Sequence, residues 1–185
     1  IVSGPFYYLG PLFIERKLYR EGRVYNPSAE FAPDMVNLVA DFTGDGWADI
    51  LSAVSRPMDL YVNPKGESRR WDKFRVLPTI SSEIALMNDL DNDGKAEILF
   101  AGGGAYNWAR PDPANPTAAR TPHLLSSPGQ TVSGHGIGIG DINGDGRKDV
   151  VVPTGWYEQP AEGIERTPWT FHAHTFGNLA VFGMG

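Results

Sequence analysis

The 185-residue sequence contains no cysteine, so neither a disulfide framework nor a thiolate metal site is available to it. No apolar run approaches the roughly 20 residues that a membrane-spanning helix needs. The opening IVSGPFYYLG lacks the basic start and apolar core of a secretory signal, and the sequence therefore reads as mature or as a piece of something longer. Helical periodicity is also scarce. The best helix candidate, Thr117–Arg120, is barely one turn and is hemmed in by Pro116 and Pro122, so 111–128 is expected to be a long surface loop. Basic residues are scattered, as in Arg69, Arg70 and Arg75, without the stripe that would make a nucleic-acid partner plausible. No G-x-S-x-G elbow exists to support a Ser-His-Asp nucleophile.

What the chain has in quantity is glycine (22) and proline (15), a composition that suits many turns and short strands. Three acidic loops stand out against this background: DFTGDGWAD at Asp41–Asp49, DLDNDGKAE at Asp89–Glu97 and DINGDGRKD at Asp141–Asp149. Each places oxygen-bearing side chains at its first, third, fifth and ninth positions and a glycine at its sixth. That pattern suits Ca²⁺, a hard cation taking six to eight oxygen ligands. The expected side-chain ligands are Asp41, Thr43, Asp45 and Asp49 in the first loop, and Asp89, Asp91, Asp93 and Glu97 in the second. Those of the third are Asp141, Asn143, Asp145 and Asp149. The seventh residues, Trp47, Lys95 and Arg147, contribute backbone carbonyls.

Ten of the 22 acidic residues lie in these loops, leaving 12 acids against 13 bases elsewhere. The formal charge of −6 therefore reads as demand for metal, which three calcium ions would bring to about zero. An EF-hand shares the opening pattern but needs a bidentate glutamate at position twelve. Ser52, Phe100 and Val152 stand there, and the flanks are strand-like. Carboxylates packed this densely repel one another without a cation, which points to a structural ion.

The loops recur 48 and then 52 residues apart, a period of the size of one propeller blade. Each follows a short apolar stretch (Met35–Ala40, Ile84–Met87, Gly136–Gly140) and precedes an aliphatic run at Ile50, Ile98 or Val150. An aromatic strand comes next, at Leu60–Val62, Tyr106–Trp108 and Trp156–Gln159. Alternating stretches at Trp71–Leu77 and Trp169–Thr175 close the first and third units. Residues 5–10 and 12–18 resemble the last two strands of a preceding unit, and Gly183–Gly185 lines up with the residues before Asp141. The expectation is an all-β propeller of four-stranded blades, with about three and a half blades within 1–185. They divide as the end of one blade (1–32), three blades (33–80, 81–132, 133–177) and the first strand of another (178–185). Closed propellers have roughly 4–8 blades, so the remaining blades are expected from the same or a neighbouring chain.

The run D-x-[DN]-G-D-G-x-x-D between two strands resembles the FG-GAP/VCBS repeat of integrin-type and bacterial secreted propellers. The third loop fits fully, the first departs at Thr43, and the second departs at Asn92 and Glu97. The resemblance implies a seven-bladed, extracytoplasmic protein (secreted, periplasmic or at the cell surface), with calcium held between the first two strands of each blade. The Phe-Gly and Gly-Ala-Pro signatures of integrin repeats are not clearly present, so no integrin-like ligand site is carried over. The stretch HGIGIGDINGDGRKDVVVPTGWYEQP is similar to bacterial VCBS proteins related to the propeller of aldos-2-ulose dehydratases, carbohydrate-processing lyases.

Candidate chemistry outside the loops is sparse. Met35, Glu83 and His135 stand six positions before each loop and are expected at equivalent places on the innermost strands. There Glu83 and His135 either line a solvated tunnel, serve as acid and base, or bind a second metal. His172 and His174 share one face of an outer strand, a pair short of a zinc site without a third ligand. Tyr106, Trp108, Trp156 and Tyr157 either stack on sugars or pack between blades, the latter being the better fit. The leading functional reading is a calcium-stabilised propeller that binds carbohydrate or protein. The alternatives are the propeller of a carbohydrate lyase or dehydratase, and a structural module of a surface assembly.

Overall fold

A computed structural model describes residues 1–54, 56–129 and 136–176. Among these the structure is all-β, with no helix. Fifteen strands run in chain order: β1 (Val2–Ser3), β2 (Phe6–Tyr8), β3 (Arg16–Leu18), β4 (Asp34–Ala40), β5 (Asp49–Val54), β6 (Met58–Val62), β7 (Asp72–Leu77), β8 (Ala85–Asn88), β9 (Glu97–Gly102), β10 (Ala105–Ala109), β11 (His123–Leu124), β12 (Gly138–Gly140), β13 (Asp149–Val152), β14 (Gly155–Glu158) and β15 (Thr170–Ala173). They form one three-stranded sheet, β1-β2-β3, and three four-stranded sheets, β4-β5-β6-β7, β8-β9-β10-β11 and β12-β13-β14-β15. Every pairing is antiparallel between chain neighbours, the meander of a propeller blade.

Burial explains the pattern within each sheet. β9 is buried throughout and β5 nearly so, which is why Asp49-Ile-Leu-Ser-Ala-Val54 and Glu97-Ile-Leu-Phe-Ala-Gly102 show almost no polar alternation. The outer strands β7 and β15 are largely exposed and carry more polar residues. The chain divides into two compact units, Ile1–Pro78 with Pro111–Ala119, and Thr79–Arg110 with Arg120–Gly185. In the first unit Tyr19, Ile50, Tyr61 and Trp71 form a core against which Val2 and Tyr7 pack. Tyr19 meets Tyr61 edge-on at 4.9 Å between ring centres, and Tyr7 meets Trp71 at 5.2 Å. In the second unit Leu90, Leu99, Tyr106, Trp108, Val150, Tyr157 and Trp169 belong to one larger core.

The two tryptophans that precede the outer strands play the same part in both units. The Trp71 amide donates to the Tyr19 carbonyl and the Trp169 amide to the Leu125 carbonyl, each at 2.9 Å. Tyr19 directly follows β3 and Leu125 directly follows β11. Each tryptophan's backbone amide thus stitches the start of one outer strand to the end of the preceding sheet.

Several expectations are corrected by the fold. Residues 111–128 are not wholly a surface loop: β11 pairs with β10 there (Asn107↔Leu124, Trp108↔His123), and Arg120, Leu125 and Ser126 are buried. Thr117–Arg120 forms no helix, as expected. β1 adds a strand that periodicity did not reveal. Glu83 is not on an inner strand but at an exposed bend two residues before β8, whereas Met35 lies within β4. β15 ends at Ala173, so His174 is off the strand that carries His172. His135 and 178–185 lie outside the described residues.

Candidate metal centre

Each acidic loop joins the first two strands of a four-stranded sheet, and its ninth residue opens the second of them. Asp49, Glu97 and Asp149 are fully buried and pair in register with Ala40, Asn88 and Gly140. The first aspartate of each loop collects backbone amides. Asp41 accepts from Gly44 (2.7 Å), Asp45 (3.1 Å) and Gly46 (2.8 Å). Asp141 repeats this with Gly144, Asp145 and Gly146, and Asp89 accepts from Asp93 and Gly94. The fifth residue accepts the amide of the seventh in all three loops: Trp47, Lys95 and Arg147 donate to Asp45, Asp93 and Asp145.

These turns demand left-handed backbone at two places. The sixth-position glycines have φ of +88°, +85° and +86° at Gly46, Gly94 and Gly146. The fourth position is left-handed too: Gly44 at +73°, Gly144 at +78°, and Asn92 at +60° in the second loop. Asn92 departs from the repeat pattern in sequence but not in conformation, because asparagine tolerates this region better than other side chains.

The loops differ in how their closing carboxylate is satisfied. Asp49 is saturated: Oδ1 accepts from Asn63 N, while Oδ2 accepts from Phe42 N, Thr43 N and the Thr43 hydroxyl. Thr43 therefore spends its hydroxyl hydrogen on Asp49. Asp149 accepts from Ile142 N at 2.8 Å and Gln159 N at 3.0 Å. In the second loop Glu97 Oε2 accepts from Leu90 N at 2.8 Å, but the buried Oε1 has no hydrogen-bond partner. The closest cation, Arg110 Nη1, stands 3.9 Å from it, too far for a hydrogen bond. Oxygens of Asp89, Asp91 and Glu97 lie within 4.8 Å of one another, and among the described residues this is the one cluster so arranged. A buried carboxylate with one donorless oxygen, clustered with two more carboxylates, fits a hard cation.

Electrostatics mark the same place. Burial pushes the Glu97 carboxyl up to about 7, with Asp91 and Asp93 adding to the rise, while the Leu90 amide and Arg110 oppose it. Asp49 and Asp149 are also raised, chiefly by burial. Asp45 and Asp145, in contrast, are lowered, first by the amides of Trp47 and Arg147.

Three surrounding residues matter here that sequence reading passed over. Arg110 contacts Asp91 (3.1 Å) and Glu165. Lys148 donates its ammonium to the Asp89 carbonyl. Gln159, almost fully buried, accepts from Lys148 N through Oε1 and donates from Nε2 to Leu90 O, both at 2.9 Å. Gln159 thus ties the third loop to the second. Its counterpart Asn63 closes the first loop on itself, donating to Ala48 O. The available signal was position, since both residues immediately follow the third strand of their sheets.

The other candidates fare differently. Tyr106, Trp108 and Tyr157 are buried, with Tyr106 and Tyr157 in ring contact at 5.9 Å, so these three pack rather than offer sugar platforms. Trp156 lies flat against His172 at 4.2 Å, and His172 Nε2 is 2.7 Å from Glu158 Oε2. His174 meets Phe176 instead, so the two histidines do not converge on one site.

The profile of the FG-GAP-like repeat family matches residues 89–152, from the first residue of the second loop to the end of β13. No curated protein and no solved structure matches the chain.

Proposed function

We propose that this chain is a calcium-stabilised segment of a β-propeller that serves as a binding or scaffold domain outside the cytoplasm. The observation that carries the reading is the second loop, where Glu97, buried and with one oxygen lacking a donor, clusters with Asp89 and Asp91. The FG-GAP-like match over 89–152 and the four-stranded meanders support a propeller used for binding rather than a self-contained catalyst. Asp89, Asp91, Asp93 and Glu97 would hold the ion in this loop. Asp41, Thr43, Asp45 and Asp49, and Asp141, Asn143, Asp145 and Asp149, would do so in the others, with the carbonyls of Trp47, Lys95 and Arg147. The ion would supply charge neutralisation and cross-linking of adjacent strands. No helix of the described residues is long and apolar enough to cross a membrane. Extracellular calcium modules work at 10⁻⁴–10⁻³ M affinity, which fits loops partly satisfied by their own amides.

The ligand we favour is carbohydrate or a protein surface. The first unit carries an open groove of about 680 Å³ whose lining includes Phe6, Tyr8, Tyr25 and Phe31, with Arg16 and Arg23. Arg16 lies over the Phe6 ring and Arg23 over Tyr25, at 4.6 and 4.1 Å to the ring centres. Aromatic faces beside fixed charges suit a polyhydroxylated ligand, and the volume falls within the usual range for ligand clefts.

Calcium titration by calorimetry, paired with a glycan array on calcium-loaded protein, tests both halves. Heat of calcium binding that is diminished in Asp89→Asn supports the metal assignment. Glycan signal lost in Tyr25→Ala with Phe31→Ala supports the groove. Absence of any calcium heat would remove the proposal's foundation.

A further inference from the structure

The antiparallel register places one residue of each sheet directly opposite the loop's closing acid. Ile50 pairs with Tyr61, Ile98 with Ala109 and Val150 with Tyr157. Continued by one step, this register brings Val62 beside Asp49, Arg110 beside Glu97 and Glu158 beside Asp149. The third position of each loop varies in step with this facing residue. Thr43 goes with a neutral Val62, and Asp91 goes with Arg110, the two 3.1 Å apart. Asn143 goes with Glu158, its amide nitrogen 3.3 Å from Oε1. An acid gained at the third position is thus matched by a base gained on the neighbouring strand.

Arg110 is therefore placed where a cation's charge is wanted. Its guanidinium reaches Asp91 but stops 3.9 Å short of Glu97 Oε1, so the buried oxygen keeps no donor. A divalent ion drawn to that oxygen would meet a fixed positive charge within a few ångströms, a strong repulsion in a partly buried setting. The guanidinium also has somewhere to go. It already pairs with Glu165, in the connection between β14 and β15, and its carbon lies 5.3 Å from the centre of the Trp108 ring. Release from Asp91 leaves it paired.

We propose that Arg110 is a resident counter-cation of the second loop, displaced from Asp91 when a divalent ion binds and retained by Glu165 and Trp108. It rests on the calcium reading above. Arg110 then weakens the second loop's affinity below what four carboxylates would otherwise give. In the cation-free protein it holds those carboxylates together.

The test is calcium calorimetry on the whole chain, with tryptophan fluorescence followed in parallel. The binding step lost in Asp89→Asn belongs to the second loop. Arg110→Met, which removes the charge but keeps an unbranched side chain, should tighten that step by about tenfold, equivalent to about 1.4 kcal/mol, and leave the others unchanged. Arg110→Lys keeps the charge and should retain the weak affinity. Glu165→Gln removes the second partner and should weaken the step further. In the unaltered protein, fluorescence should change with filling of this step, and Arg110→Met should lose that change. If wild-type heat is present but Arg110→Met leaves the step unchanged or weaker, the displacement idea is overturned and the calcium reading survives. If no variant shows calcium heat, both fall.

Discussion

At the scale of single residues the second loop separates conformation from ligation. Gly94 sits at φ +85° with open space around any added Cβ, so its requirement is backbone geometry alone. Gly94→Ala should cost about 1–2 kcal/mol in a melting experiment, while Asn92→Gly should be close to neutral, because only the first forces a methyl group into left-handed backbone. Glu97 supplies the contrasting case. In cation-free protein its carboxyl is raised from the ordinary 4.5 to about 7, so between those values the native state holds more protons than the unfolded chain. Stability should then fall as pH rises through that window, the opposite of a salt-bridged carboxylate. Glu97→Gln keeps an oxygen for the Leu90 amide and removes the charge. At pH 8 in chelator it should raise stability by on the order of 1–3 kcal/mol, yet lose the second loop's share of calcium stabilisation. Melting curves with EDTA and with calcium, from pH 4.5 to 8, read both effects. A variant as calcium-responsive as the parent would show that Glu97 is not a ligand.

At the scale of strands and loops, much could be read from the repeat because burial is systematic. The second strand of each repeat is largely buried, so Ile50-Leu51, Ile98-Leu99 and Val150-Val151-Val152 announced themselves as apolar runs. β11 did not, because the pairing involves only His123 and Leu124, within a stretch whose prolines and polar residues look like a loop. Inner-strand neighbours likewise hid the roles of Arg110, Glu158 and Gln159. Their importance follows from what lies across the sheet, a relation that single-chain spacing does not display. Gln159 makes the point testable. Its side chain satisfies Lys148 N and Leu90 O in a buried position, so Gln159→Ala strands two backbone groups and should cost about 1–3 kcal/mol for each. Asn63→Ala should cost less, since its side-chain bond to Ala48 O is exposed. The tryptophans were legible as strand starts but not as stitches. Trp169→Ala should lose about 3–5 kcal/mol, through both its buried area and the indole bond to Ile164 O. Denaturant unfolding of the three variants ranks them directly.

At the scale of the whole molecule, the sheets are held by modest cores and by loops that concentrate negative charge. Chelation removes any ion shared between strands and leaves ten loop carboxylates partly screened by Arg110, Lys65 and Arg147, with the Lys148 ammonium on the Asp89 carbonyl. Those four basic contacts argue that the cation-free chain stays folded but weakened, because each loop retains an internal network of amides. EDTA should therefore lower the melting temperature without abolishing the cooperative transition. Restoring calcium should recover stability by about 2.7 kcal/mol per site once free ion reaches a hundredfold excess over its dissociation constant. Magnesium should rescue poorly, since it insists on near-octahedral geometry and sheds water reluctantly, whereas these loops offer oxygens from a flexible turn. Asp145→Ala should reduce the calcium response more than Thr43→Ala: the first removes a carboxylate, the second a hydroxyl whose hydrogen is already directed at Asp49. A melting temperature indifferent to EDTA, calcium and magnesium alike would mean that amides and basic side chains suffice, and that the loops are turns rather than metal sites.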